Sequence, residues 1–273
     1  MQVFKMKNPY PKPETVELSD GRKVSVPVFE FEEQLQSIVQ NEEVFNEDNM
    51  IDDNFDKKNL RPIKSYKELD DDDTIGDLAC GKLYHEALRY YVDGKEKPAD
   101  VDAVYGLPII VFTDEANHDT KGGNSSNPLA WCVGFLKEEV RWKLSSWGLV
   151  GFLPNINIGK GSNSGHYDHD WEIEGKKGPR KVKVKDKPKL KAQDHQTLYG
   201  VVLSSFKRCC DGGGMRCLYN GKQVLWVPFV LMVLSDAKEY AAITGSYASF
   251  GNRNVNCLMK SCKCQDLSSS SPK

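Results

Sequence analysis

Asp114 and Asp236 each close a strongly apolar run, and carboxylates so placed can hold divalent cations. The first run is Leu107-Pro108-Ile109-Ile110-Val111-Phe112-Thr113, and the second spans Val224 to Ser235. A carboxylate at the end of a buried strand is costly unless it meets a metal, a cation or water. Two of them, converging from separate strands of one sheet, make a site for phosphoryl transfer with hard divalent metals. The competing reading is that each aspartate caps the turn after it, a common role at strand ends. Glu115 and Glu239 are secondary candidates and read as solvated.

Three further clusters carry possible chemistry. Cys257, Cys262 and Cys264 offer three thiolates, whereas structural zinc takes four tetrahedral ligands. Cys209, Cys210 or Cys217 could supply the fourth; otherwise these are ordinary reduced thiols. Lys176, Lys177, Arg180, Lys181, Lys183 and Lys185 form a basic block suited to nucleic-acid phosphates. The same lysines would serve equally well as a solvated strand edge that resists aggregation. His166, Asp168, His169 and Asp170 mimic a hydrolase metal motif, but their glycine- and serine-rich surroundings read as a polar loop. Gly212-Gly213-Gly214 lacks the lysine and hydroxyl partners of a phosphate loop and reads as a turn. Cys80 and Cys132 stand in or beside apolar segments, as small core residues do.

The elements that must position these residues follow from hydrophobic periodicity. Residues 1–27 read as extended and largely irregular. Phe31, Leu35, Ile38 and Val39 recur at helical spacing, predicting a helix within 28–45, and a second is predicted over 78–91. An acidic linker separates them. Strands are predicted at 107–113, 129–136 and 149–153, then a polar insertion over 155–193, a helix over 198–206 and the strand ending at Asp236. Strand, strand, strand, helix, strand is the order of a ribonuclease-H-like half-domain. The first three strands would form an antiparallel meander, and the fourth would join beside the first. The expected fold is therefore α/β, a ribonuclease-H-like mixed sheet with an N-terminal helical extension and a long polar insertion. Its regions are 1–27, the helical extension 28–106, the core 107–256, and a cysteine cluster with a disordered tail over 257–273.

Composition narrows the setting. The 273 residues carry a net charge of −2, which conceals opposed blocks. Glu42 to Asp73 holds 12 acids against 5 bases, and Lys176 to Lys191 holds 9 bases against one acid. Such asymmetry fits a charged partner or a solvated loop. No secretory leader is visible, and the longest apolar stretch, Val224 to Leu234, is too short to span a membrane. Eight cysteines in such a chain argue for reduced thiols or metal ligands. The expected compartment is the nucleus or cytoplasm, with no membrane partner.

Taken in order, these parts resemble the Plavaka-type transposases, relatives of the Kyakuja, Dileera and Zisupton group. Leu107 to Asp114 resembles the strand that carries that family's first catalytic acid. Gly122-Gly123 and Trp131-Cys132-Val133 resemble its glycine turn and second strand, and Arg141 with Gly151-Phe152-Leu153-Pro154 the elements after it. Asp236-Ala237-Lys238-Glu239 resembles the motif of the second acid, and Cys257, Cys262 and Cys264 the zinc insertion beyond. The resemblance covers roughly 28–265. It implies DNA as partner, Mg2+ or Mn2+ held by Asp114 and Asp236, Zn2+ at the cysteines, and DNA cleavage with strand transfer.

Two departures stand out. Glu115-Ala116-Asn117-His118 replaces the family's lysine-threonine pattern. Asp266, two residues past Cys264, is badly placed to be the third acid. The resemblance therefore implies a truncated catalytic region, inactive alone. The rival expectation is a non-enzymatic or domesticated remnant that binds nucleic acid through its basic block.

Overall fold

The computed structural model describes residues 10–19, 21–64, 68, 81–94, 96–114, 116–117, 125–154, 156 and 187–235. Strands β1 (Lys12–Glu17) and β2 (Lys23–Val28) precede helix α1 (Phe31–Val39). A two-stranded ladder follows, β3 (Phe55–Asp56) with β4 (Arg61–Pro62), and then helix α2 (Lys82–Leu88), which runs into a π-helical turn over Arg89–Asp93. The central strands are β5 (Ala103–Thr113), the short β6 (Ala116–Asn117), β7 (Ser125–Val133) and β8 (Trp147–Pro154). Helix α3 (Glu138–Arg141) lies between β7 and β8. Helices α4 (Lys187–Val202) and α5 (Ser204–Asp211) then lead to β9 (Met215–Tyr219) and β10 (Lys222–Leu234).

One mixed sheet takes these strands in the order β1-β2-β8-β7-β5-β10-β9, with β6 paired to β7. β5, β7 and β8 form an antiparallel meander, and β10 lies parallel to β5 on the other side, after the helices. The chain is thus a mixed α/β protein, with the strand arrangement expected for 107–234. β5 and β10 can lie side by side in parallel because both are apolar nearly throughout, as strands covered on both faces must be.

The two faces of the sheet are covered differently. One face presents Leu107, Ile109, Val111 and Trp131, all buried. Phe31 of α1 lies 4.7 Å from the Trp131 ring and 4.8 Å, edge-on, from Phe206 of α5. Burying large aromatics in such contacts contributes about 0.5–1.5 kcal/mol per pair beyond area burial. On the opposite face, Leu88 and Val92 close over Gly106, where a Cβ would sit 2.4 Å from the Leu88 side chain. Phe229 of β10 stacks on Tyr91 at 5.5 Å under the same cover. That cover ends before Ile110.

Two features differ from the sequence expectation. Residues 12–28, expected to be irregular, form the hairpin β1–β2, which docks on β8 through Val28 opposite Gly151. Its inward residues Val16, Val26 and Val28 are buried, and Gly21 supplies the positive φ of its turn. Helix α4 begins at Lys187, inside the stretch expected to be a polar insertion. Leu198, Tyr199 and Val202, in its second half, supply the burial that holds it.

The tie between hairpin and helices is polar. Asp194 of α4, only 2 % exposed, accepts bonds from Ser19 N at 2.7 Å and Ser19 Oγ at 2.8 Å. At the start of α1, Phe31 N donates to Ser205 Oγ at 2.8 Å, and that hydroxyl donates to Glu30 at 2.9 Å. Lys12 and Arg208 complete the cluster on Glu30 at 2.8 and 3.0 Å. An orphan helix N–H is thereby satisfied by a residue 174 positions away, a cap that local sequence cannot reveal.

Candidate functional site

The carboxyl ends of β5 and β10 lie side by side in register, one of them leading to Asp114. Val233 pairs with Val111 and Leu234 with Phe112, after a bulge between Val230 and Met232. That bulge sets which residue of β10 faces which residue of β5 at the strand ends. Asp114 is two residues past Phe112, exposed, and outside the strand. Asp236 is two residues past Leu234 and lies outside the described residues. Between the pairs and the acids stand Thr113, fully buried, and Ser235. Among the described residues, the Oγ1 of Thr113 and the Oγ of Ser235 are buried with no hydrogen-bond partner. A buried hydroxyl without a partner costs about 1–3 kcal/mol. Among the described residues there is no cluster of three or more metal-ligating side chains.

The other sequence candidates divide. Cys257, Cys262 and Cys264, the basic residues Lys176, Lys177, Arg180, Lys181, Lys183 and Lys185, and the histidine motif at 166–170 all lie outside the described residues. So do Glu115, Glu239 and the glycine turn at 121–124. Cys209 and Cys217, considered as a fourth thiolate, are buried, and burial pushes both thiols up. Cys217 Sγ accepts from Trp226 Nε1 at 3.2 Å, and Cys210 Sγ reaches Pro228 O at 3.5 Å. Gly212–Gly214 form the turn that closes α5 into β9. Gly214, at φ +114, has no room for a Cβ, which would meet Trp226 O at 2.1 Å. Arg141 Nη1 donates to Gly134 O at 3.0 Å and Leu136 O at 2.8 Å. It braces the corner between β7 and α3.

A second feature was not legible in the sequence. Where the cover of α2 ends, the even-numbered face of β5 opens into an apolar groove of about 710 Å³. Its floor is Ile110, Phe112, Ala130, Cys132, Leu149 and Leu234. Its wall is the β7–β8 connection, with Trp142 at 80 % and Leu144 at 91 % exposure. Burial, slightly opposed by Arg141, pushes the Cys132 thiol up to about 12, so it is an inert core thiol and not a nucleophile. Glu138 and Arg141 are the charged residues at the rim. Four separated segments build this groove, so no local motif announces it.

Comparison with known proteins gives no matching family model, no matching curated protein and no matching solved structure.

Proposed function

We propose that this is a transposase-derived protein of the ribonuclease-H-like DDE class, with Asp114 and Asp236 as its two metal-holding carboxylates. The observation that supports it is the pairing of β10, parallel and adjacent to β5, with Leu234 opposite Phe112. Each aspartate stands two residues beyond one member of that pair. Adjacent strand ends, about 5 Å apart, would let carboxylates two residues further on share cations. The order β8-β7-β5-β10, with only β10 parallel to β5, also fits the ribonuclease-H-like reading.

Carboxylate oxygens suit hard divalent ions, matching Mg2+ or Mn2+ better than soft metals. Bound there, such ions would activate the attacking oxygen and stabilise the leaving one in phosphodiester cleavage. The chain's own part is positional. The β5–β10 ladder would set the spacing of the two acids, and the basic residues at 176–185 would hold the DNA backbone without reading sequence. Zn2+ at Cys257, Cys262 and Cys264 belongs to the same proposal.

The second reading is a non-enzymatic nucleic-acid-binding remnant, and the observation that favours it is the basic block at 176–191. A nicking assay on supercoiled DNA with Mn2+ separates the two. The enzyme reading expects metal-dependent nicking that Asp114→Ala abolishes. The binder reading expects no nicking, and salt-sensitive binding that Asp114→Ala leaves intact. Neutralising lysines 181, 183 and 185 would then reduce the salt slope by about 1 for each phosphate they neutralise in the wild type. Neither nicking nor salt-sensitive binding would refute both readings.

A further inference from the structure

We propose that the apolar groove on the open face of the sheet is a docking site for the chain's own segment 237–250. The groove is too apolar to stand bare. Trp142 and Leu144 project from its wall almost fully exposed, and Phe112 and Leu234 are over a third exposed on its floor. Contiguous apolar surface of this kind marks a place where something binds.

Continuity and sequence pattern select the occupant. Leu234, the last residue of β10, itself lines the groove, so the chain leaves the sheet at the groove's edge. Tyr240, Ile243, Tyr247 and Phe250 then recur at intervals of three, four and three, the spacing of one apolar helix face. The groove spans β10, β5, β7 and β8, three strand spacings or roughly 14 Å. Fourteen residues wound as a helix reach about 21 Å, enough to cross it. Gly245 lies inside the pattern and costs about 1 kcal/mol of helix propensity, so contact with the sheet must hold the segment in place. The alternative segments fit poorly. Residues 115–124 contain no large apolar side chain, and 157–186 are dominated by glycine, charge and lysine. The docked segment would place four large apolar side chains on Phe112, Trp142, Leu144 and Trp147, completing the second layer over the sheet.

A photo-crosslinker tests this in the full-length chain. Leu144→p-benzoylphenylalanine changes a residue that is 91 % exposed, so the fold should tolerate it; Trp142, 80 % exposed, takes the same probe as a second position. Irradiation of dilute protein should give crosslinks within one chain, mapped by mass spectrometry to peptides between 237 and 250. Adding Ile243→Asp with Tyr247→Asp should abolish those crosslinks while circular dichroism stays unchanged. Crosslinks between two chains would assign the groove to a second copy and overturn the proposal. Crosslinks into 157–186, or none from either position, would also overturn it. The readout involves neither metal nor DNA, so it stands or falls apart from the transposase reading.

Discussion

Gln34 offers a sharp test of how the sheet is finished at its hairpin edge. β2 reaches only Gly151 of β8, and among the described residues no strand pairs with that edge of β8 beyond this point. Gln34 of α1 fills the gap. Its Nε2 donates to Leu149 O at 2.5 Å and its Oε1 accepts from Leu149 N at 2.5 Å. The side-chain amide thus stands in for a peptide group of a neighbouring strand. Gln34→Met preserves length and apolar contact but removes both bonds. Leaving one N–H and one C=O unsatisfied in a half-buried place costs about 2–4 kcal/mol in total. For a chain this size that lowers Tm by roughly 3–8 °C. Thermal unfolding followed by circular dichroism reads the shift, and hydrogen exchange at the Leu149 amide reads the cause. Gln34→Glu is the informative control, because it keeps an acceptor for Leu149 N–H and loses the donor. With its ionised carboxylate buried against Leu149 O, it should be at least as destabilised as Gln34→Met at neutral pH and regain stability as the carboxyl protonates and donates to that carbonyl. A Tm within about 2 °C of wild type for Gln34→Met, with Leu149 protection unchanged, would refute the reasoning.

Three other outcomes follow from the same contacts. Glu30 is held below the usual carboxylate range, chiefly by the hydrogen bond from Lys12 and also by Ser205, against a partial-burial effect that raises it. A depressed carboxylate contributes stability above its ordinary value of 4.5 and loses it as pH falls through the lowered value. Stability measured from pH 7 to pH 3 should therefore drop on the acid side, and Glu30→Gln should flatten that drop. Cys132, raised to about 12 by burial, should be about one ten-thousandth thiolate at pH 8 and resist iodoacetamide until the chain unfolds. Labelling at the same rate in native and denatured protein would contradict this. Gly148 pairs with Trp131, and a Cβ there would lie 2.4 Å from the indole. Gly148→Ala should therefore destabilise by about 1–3 kcal/mol in urea unfolding, through overpacking of a fully buried ring.

The central strands were legible because largely buried strands write themselves as uninterrupted apolar runs, as in Leu107–Thr113 and Val224–Leu234. Their neighbours were harder to read. In the β1–β2 hairpin, Pro11, Pro13 and Pro27 argue against a strand, and only Val16, Leu18, Val24, Val26 and Val28 keep the alternation. The first turn of α4, Lys187-Pro188-Lys189, reads as a basic loop by composition, although proline is well tolerated at the start of a helix. Asp114 was legible as the polar end of an apolar run. The residue-by-residue register of its strand against β10 was not, because the bulge between Val230 and Met232 sets it and no sequence pattern marks the bulge. The groove escaped sequence reading for a different reason. Trp142 and Leu144 look like scattered apolar residues until the β7–β8 connection sets them beside Phe112 and Leu234.

The most direct measurement is Mn2+ binding to the full-length protein, followed by electron paramagnetic resonance of the free ion. The account predicts a saturable site that is lost in Asp114→Asn and in Asp236→Asn, while both variants stay folded. No saturable binding in the wild type, or binding that survives both substitutions, would contradict the pairing of these two carboxylates at the ends of β5 and β10.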